Sequence, residues 1–295
     1  MIIIASKSGQ LGNRLFQFAH FIAFSAQSGV TILNPGFEEY ADNFESTYRS
    51  ATSRYPASSF GLGLFLRPRA TLHRIALWAT FFFKTRKLGS LIQAITLRRG
   101  EEFQLDDPAF EASIRKMRML FIYGYEFRAR SYFTRHAGVI RKYFTPRQHH
   151  RLQIDSVMAA AREKADIVIG VHIRRGDYRK FLGGRYFYEL PVYLEMMKAA
   201  QKLFEGKRVC FLVCSNEKLN PADFLPLPVA FGTGQQIEDL YAFARCDYLI
   251  GPPSSYTLWA GFYGNCPLHI IWNETTLPCS LSDFQVPSEE RRLVF

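Results

Sequence analysis

The stretch that decides the fold is Asp166–Tyr178, DIVIGVHIRRGDY. From Asp166 to Ile173 it is predominantly apolar, which is typical of a strand buried on both faces of a parallel sheet. Polar residues follow where this strand ends. Ligands of open α/β sheets bind beyond the carboxyl ends of the strands, so these polar side chains are predicted to lie beside a ligand.

Strand and helix patterns alternate on both sides of this strand, as expected for a doubly wound α/β domain. The predicted helices are Arg151–Lys164, Leu190–Phe204, Gln236–Arg245 and Ser255–Phe262. The other predicted strands are Arg208–Cys214, Tyr248–Ile250 and Leu268–Ile271.

The first half of the chain contains a second α/β pattern. A strand at Ile2–Ala5, a glycine-containing loop, a helix at Leu11–Ser28 and a strand at Val30–Leu33 predict a right-handed parallel unit. A further strand is predicted at Met119–Tyr123 and a helix at Arg130–Phe144. We place the domain change near residue 150, in the polar segment TPRQHHR, which predicts domains at 1–150 and 151–295.

The composition is that of a globular chain with an excess of positive charge. Hydrophobic residues make up 48% and charged residues 21%, which excludes disordered and fibrous classes. The chain has 37 Lys and Arg against 26 Asp and Glu, a formal charge of +11. Charge alone leaves phosphate-bearing small molecules, an anionic membrane and nucleic acid open as partners.

Cysteine usage and apolar runs predict a cytoplasmic protein. The five Cys residues form no Cys-x-x-Cys step, so a zinc site is not expected, and Cys210 and Cys214 should share the buried face of a strand. This usage fits a reducing compartment. The opening lacks the basic region of a signal peptide, and the run Ile75–Phe83 is about half of the ~20 residues that a membrane helix needs.

The segment from 34 to 100 is the least regular in pattern. Within it, Thr71–Lys84 is basic at both ends and aromatic in the middle. Two interpretations stay open: a helix packed in the core, or a peripheral contact of 60–100 with an anionic membrane on its inner face.

The two adjacent arginines after the central strand cannot follow the same face. We expect one of Arg174 and Arg175 to reach an anionic ligand and the other to pair inward, for which Asp177 is the nearest partner. The alternative is a salt-bridged loop in which Asp177 holds Arg175.

A second anion site is predicted at the start of the last helix. Ser254 and Ser255 would offer hydroxyls beside free backbone N–H groups at a helix N-terminus. The alternative is an ordinary N-cap. Asp239, near the start of the preceding helix, is on its own an ordinary helix acid.

The loop Gly9–Arg14, GQLGNR, contains two glycines between the first strand and helix. It lacks the third glycine of a dinucleotide fingerprint and the Lys-Ser/Thr of a P-loop. Asn13 and Arg14 could equally serve only to cap the helix.

The motif His172-x-Arg174-Arg175-x-Asp177 resembles the H-x-R-R-x-D motif of α1,2- and α1,6-fucosyltransferases and of the related protein O-fucosyltransferases. HIRRGDY is most similar to the α1,2 group, glycosyltransferase family 11. Three other segments resemble that group in the same order: Gly9–Ala19, Gly124–Phe133 and Asp239–Gly264.

This resemblance implies a GT-B-like enzyme with two Rossmann-type domains facing a cleft. The C-terminal domain would bind the nucleotide sugar and the N-terminal domain the glycan acceptor. The reaction would be inverting and independent of metal or cofactor, moving fucose from GDP-fucose to a hydroxyl, with an α1,2 bond to galactose in a surface polysaccharide or lipopolysaccharide expected.

The resemblance also implies roles for particular residues. Arg174 would hold the β-phosphate and stabilise the departing GDP, and Asp239 would read the guanine amino edge. Asn13 would face the reacting sugar or the acceptor, and Gly12 beside it would belong to the donor site. Other donor-binding residues would be His172, Arg175, Ser254, Ser255 and Tyr256. The general base is not part of the motif, and the acidic residues considered are Asp177, Glu126 and Glu189.

The chain departs from the family pattern at positions that flank the donor and acceptor sites. Arg14 stands where glutamine is usual, Glu126-Phe127 where Trp-Gln is usual, and Pro252-Pro253 alters the last block. A different GDP-sugar or linkage is therefore an alternative. A non-catalytic basic module for nucleic acid or membrane is another, although no nucleic-acid-binding motif is present and no such partner is expected.

Overall fold

The computed structural model describes residues 1–57, 68–85, 91–163 and 165–287. The chain divides into two compact units, Met1–Arg147 and Gln148–Phe295. Each unit has its own parallel β-sheet with helices packed against it.

The first unit is a four-stranded parallel sheet in the order β2-β1-β5-β3, with a separate two-stranded parallel pair, β4 and β6. Its elements are β1 (Ile2–Ile4), α1 (Leu11–Ser28), β2 (Ile32–Leu33), α2 (Arg69–Thr85), β3 (Ile92–Thr96), β4 (Phe103–Gln104), α3 (Pro108–Ile114), β5 (Met119–Tyr123), β6 (Phe127–Arg128), α4 (Arg130–Arg135) and α5 (Ala137–Tyr143).

The core of this unit is built on α1 and is rich in aromatic rings. Phe18 on α1 meets Phe37, Tyr143 and Phe144 with ring centroids 5.3–5.7 Å apart. Such tilted and edge-to-face pairs add to the free energy of burial. Much of the high aromatic content is therefore used in packing.

One segment of this unit that was predicted as a single helix forms two helices. The segment predicted as a single helix, Arg130–Phe144, is broken at His136, whose φ of −104° and ψ of 20° lie outside helical geometry. The chain forms α4 and α5 instead. The second of these ends at Tyr143, before Pro146 can interrupt it.

The second unit is a five-stranded sheet in the order β11-β10-β7-β8-β9, parallel throughout. Its elements are α6 (Gln148–Glu163), β7 (Ile167–Ile173), α7 (Leu190–Lys202), β8 (Val209–Ser215), β9 (Val229–Phe231), α8 (Gln236–Phe243), β10 (Tyr248–Gly251), α9 (Ser255–Gly264) and β11 (Leu268–Ile270). The apolar run Asp166–Ile173 forms the central strand, β7, as predicted.

The core of the second unit lies where α7 packs against β7 and β8. Val171 and Ile173 pack with Tyr193 and Met197 of α7 and with Phe211 of β8, all essentially buried. Cys210 and Cys214 are also buried on β8, which confirms their assignment to the core.

Within the described ranges no helix has the length and apolar character that a bilayer-spanning segment requires.

Candidate functional site

The second sheet has a point where the order of its strands reverses. The chain proceeds from β7 outward through β8 and β9, then returns to the other side of β7 for β10 and β11. In sheets of this kind the crevice outside the carboxyl ends of the two strands flanking the reversal is the preferred ligand site. Those ends are Ile173 of β7 and Gly251 of β10.

The loops that follow these two strands are tied together by side chains. The Tyr178 hydroxyl donates a hydrogen bond of 2.9 Å to the carbonyl oxygen of Pro253. His172 Nδ1 lies 2.7 Å from the Thr257 hydroxyl on α9. The sequence motif after β7 and the serine-rich start of α9 therefore belong to one site.

His172 is held in this site as a neutral ring. It is 4% exposed, and desolvation, followed by the charge of Arg174, lowers its pKa to about 3. A neutral imidazole has one nitrogen to donate and one to accept, so with Nδ1 engaged by Thr257 it contributes a polar but uncharged wall.

Arg174 is fixed at its backbone and paired at its tip. The Tyr193 hydroxyl lies 3.3 Å from its amide nitrogen and 3.4 Å from its carbonyl oxygen. Its Nη2 donates to Asp177 Oδ2 at 2.8 Å, and its guanidinium carbon lies 5.4 Å from the centroid of the Tyr178 ring. Asp177 therefore pairs with Arg174, and the alternative of a loop in which Asp177 holds Arg175 is wrong.

Arg175 leaves the strand in another direction. Its Nη2 donates to Glu189 at 2.7 Å and its Nε lies 3.5 Å from Glu217. Asn216 accepts a 3.0 Å hydrogen bond from its backbone amide. Arg175 is thus also ion-paired, with partners that adjacency in sequence did not indicate.

The start of α9 is capped from within. Ser254 Oγ accepts a hydrogen bond of 3.2 Å from the amide of Tyr256, which is the N-cap geometry. The Tyr256 hydroxyl donates to the carbonyl of Gln236 at 2.7 Å, so this phenol is tied to α8. Ser255, the first residue of α9, is partly exposed.

A cavity of about 130 Å³ lies at the carboxyl ends of β8 and β9 and reaches Asp239. Asp239 is 6% exposed, its Oδ1 accepts from the amide of Gly234 at 3.3 Å, and burial raises its pKa. A Cβ at Gly232 would lie 2.2 Å from this oxygen, so a side chain there would close the approach to the carboxylate. The other lining residues are Val213, Cys214, Ser215, Glu217, Leu219 and Phe231.

Most of this cavity was missed by the sequence analysis. Ser215 ends β8 and Glu217 follows it, and the rule applied to β7 would have found them there too. Phe231 ends β9 and Gly232 follows it, and this strand was not predicted because Pro226 and Pro228 precede a strand of only three residues.

The glycine loop of the first unit is braced by Arg14. This side chain is buried, donates to the carbonyls of Gly9 and Gly36 at 3.1 and 3.2 Å, and pairs with Glu39 at 3.0 Å. Asn13 Oδ1 accepts from the Tyr125 hydroxyl at 3.5 Å. Gly12, in the first turn of α1, is buried.

All three acidic residues considered as the base are in ion pairs with arginine. Asp177 pairs with Arg174, Glu189 with Arg175, and Glu126 with Arg128. A carboxylate must give up such a partner before it can accept a proton from a substrate hydroxyl. The described residues contain no group of three or more His, Cys, Asp or Glu arranged to hold a metal ion.

No protein-family model and no curated protein match this chain. Solved structures do. FUT1 of Arabidopsis thaliana, solved as a mutant with GDP, is 13% identical with a TM-score of 0.61 over 92% of this chain and 70% of that one. The fucosyltransferase NodZ from Bradyrhizobium is 16% identical with a TM-score of 0.54 over 94% and 97%.

POFUT1 in complex with GDP-fucose is 12% identical with a TM-score of 0.53 over 95% of this chain and 97% of that one. Identities this low establish a likeness of fold alone. The predicted α/β, GT-B-like fold class is confirmed by it.

Proposed function

We propose that this protein is a glycosyltransferase that moves fucose from GDP-fucose to a hydroxyl of a glycan. The observation that carries the proposal is the strand-order reversal of the second sheet. Arg174 and the capped start of α9 follow β7 and β10, the strands that flank the reversal, and the cavity that reaches Asp239 lies at the carboxyl ends of β8 and β9. The structural neighbours solved with GDP or GDP-fucose support it.

The diphosphate would lie between Arg174 and the N-terminus of α9. As the sugar leaves, negative charge grows on the β-phosphate, and a preorganised guanidinium with helix N–H groups offsets it without a metal. Arg174 already holds one carboxylate, Asp177, through a charge-assisted hydrogen bond. Binding of the donor would replace that carboxylate by a phosphate oxygen.

The guanine would enter the cavity that ends at Asp239. An ionised carboxylate accepts two parallel N–H bonds, which matches the ring N–H and amino group of guanine and no other common base. Phe231, Val213 and Leu219 supply the apolar walls that a base needs on its faces. The absent side chain at Gly232 leaves the carboxylate reachable.

The transfer itself would invert the anomeric carbon. The acceptor hydroxyl oxygen forms the new bond to that carbon while the bond to the β-phosphate oxygen breaks, and GDP leaves with the electron pair. The hydroxyl proton passes to a base, for which Asp177, Glu126 and Glu189 stay the proposed residues. Of these, Asp177 is the one that a phosphate on Arg174 would release.

The finer assignment rests on the sequence resemblance. It favours an α1,2 bond to galactose in a surface polysaccharide or lipopolysaccharide, with the first unit meeting the acceptor, and no metal. A different GDP-sugar or linkage on the same fold is the second hypothesis, since the departures from the family pattern flank the donor and acceptor sites. A donor screen with linkage analysis of the product decides between them.

The nucleotide preference tests the proposal directly. Isothermal titration should show GDP binding at least an order of magnitude more tightly than ADP or UDP. Asp239→Asn should lower the affinity for GDP by about 10- to 100-fold, the usual loss for hydrogen bonds to a charged group. Asp223→Asn, an exposed acid of the same unit, is the matched control and should bind GDP like the parent. Equal affinity for GDP and ADP would refute the proposal.

A further inference from the structure

Helix α2 presents an apolar stripe to solvent. Ile75, Trp78 and Phe81 are 50%, 65% and 44% exposed, and their spacing of three residues places them on one side of the helix. Ala76, Ala79 and Thr80 are buried on the other side, where α2 packs against β3 and β5.

The exposed rings form a continuous surface. Trp78 stacks on Phe82 with centroids 5.0 Å apart, and Phe81 meets Tyr123, at the end of β5, at 5.2 Å. We name Ile75, Trp78, Phe81, Phe82 and Tyr123 the α2 face. Contiguous exposed aromatic and aliphatic groups of this kind mark a binding surface, because water solvates them poorly.

The excess positive charge of the protein belongs to the unit that carries this face. The first unit has 21 Lys and Arg against 10 Asp and Glu, and the second has 16 against 16, so the whole excess of +11 belongs to the first. Between residues 46 and 100 the described part of the chain has seven Lys and Arg and no Asp or Glu.

Two of these cations flank the apolar stripe on α2 itself. Arg74 precedes Ile75 and Lys84 follows Phe81 and Phe82, and both side chains are exposed. Neither forms an ion pair with another residue of the described ranges. Arg69, at the start of the helix, is different because it is paired with Asp42 at 2.6 Å.

We propose that the α2 face binds the surface of an anionic lipid bilayer, with α2 lying in the plane of the interface. Tryptophan and phenylalanine between basic residues are the composition of interfacial helices, whose apolar side enters the headgroup boundary while the cations meet anionic lipid. A nucleic acid would attract Arg74 and Lys84 but would leave the Ile75 stripe exposed to water. Residues 58–67 and 86–90 of the 60–100 region lie outside the described residues, and the proposal does not use them.

Binding to vesicles tests the proposal on the full chain. The protein should float with vesicles of phosphatidylcholine mixed with phosphatidylglycerol at low salt and should bind vesicles of phosphatidylcholine alone much more weakly. Each cation near such a surface contributes about fivefold to the partition coefficient, so Arg74→Glu with Lys84→Glu should lower it by at least ~25-fold. The matched control, Lys202→Glu with Lys207→Glu in the second unit, should lower it far less.

The apolar stripe has its own variants. Trp78→Ser with Phe81→Ser should reduce partition by at least an order of magnitude, while Trp272→Ser, also at an exposed tryptophan, should bind like the parent. The tryptophan emission of the parent should shift to the blue on vesicles, and Trp78→Ser should abolish that shift. Thermal unfolding and GDP titration of every variant should match the parent, because these side chains lie on the surface.

Absence of partition into anionic vesicles at low salt would overturn the proposal, as would equal partition of the α2 variants and their controls. An electrophoretic shift of nucleic acid without vesicle binding, or a dimer lost in Trp78→Ser, would assign the face to another partner. The inference does not rest on the transferase activity, so retained GDP binding without vesicle binding refutes it alone.

Discussion

The two units share a sheet plan but use charge in opposite ways. Each has a parallel sheet whose first strand in the chain is internal, and in each the strand order reverses beside that strand. The first unit carries the whole +11, whereas the second carries as many acids as bases. Even so, the adjacent arginines of the proposed diphosphate site belong to the neutral unit. Net charge describes a surface, whereas an anion site depends on the placement of one or two side chains.

The edges at the two reversal points also differ in chemistry. In the second unit Arg174 and Asp177 form an ion pair at the end of β7, with the carboxylate about half exposed. In the first unit neutral groups tie β1 to β5: Ser6 Oγ donates to the carbonyl of Gly124 at 2.9 Å, and Tyr125 bonds to Asn13. A partly exposed ion pair is worth little, so a phosphate can replace the carboxylate at small cost. The neutral bonds hold a loop in place.

The largest expected effect distinguishes the placement of Arg174 from the net charge of the second unit. Arg174→Ala should lower kcat of fucose transfer by about 10²- to 10³-fold, because it removes one preorganised donor from the departing diphosphate. Lys207→Ala removes the same unit of charge from an exposed position in the same unit and should leave kcat unchanged. Steady-state kinetics with GDP-fucose measures both. A loss of similar size in the two variants would mean that bulk charge governs the reaction.

The second effect concerns the neutral His172 beside those arginines. Between pH 6.5 and about 3 the unfolded chain binds a proton at this residue and the folded chain does not, so the free energy of unfolding falls as the pH falls. At pH 5 the loss relative to pH 7 should reach about 2 kcal/mol. His172→Asn keeps a polar group near Thr257 and cannot titrate, so it should lack this part of the loss.

Urea unfolding of parent and His172→Asn at both pH values gives the comparison. The remaining histidines titrate alike in the two proteins, so their contributions cancel. Identical pH slopes would show that His172 is protonated in the folded protein, which would make the edge of the second sheet more positive than described.

The smallest effect compares the hydroxyl bonds that join the loops in the two units. Tyr178→Phe removes the buried 2.9 Å bond to Pro253 and should lower the free energy of unfolding by about 1 kcal/mol. Tyr125→Phe removes the 3.5 Å bond to Asn13, at the limit of hydrogen-bond distance, and should cost less. Denaturant titration of the pair measures the difference, and a larger loss for Tyr125→Phe would contradict the order of bond strengths that the two distances predict.

The second unit was the more predictable because its elements have strong local signals. The run before Arg174 is long, apolar and β-branched, and the helix Leu190–Lys202 begins and ends within two residues of its predicted bounds. In the first unit β3 lies between two basic segments, and each strand of the β4–β6 pair has only two residues, so periodicity had little to detect. The break falls at His136, which is neither proline nor glycine, so the sequence contains no local signal for it.

The sequence by itself determined the longer apolar strands of both units, which residues follow the central strand, and that the chain is rich in cations. Only the tertiary structure decided that Asp177 pairs with Arg174, that Thr257 holds His172, and that Gly232 leaves Asp239 accessible. It also decided that Trp78 lies on the solvent side of α2. The physical reason is the sequence separation over which each kind of interaction acts. Apolar periodicity and turn chemistry act within a few residues, whereas the partner of a polar side chain is chosen among groups that the fold brings together from 85 residues away, as with His172 and Thr257.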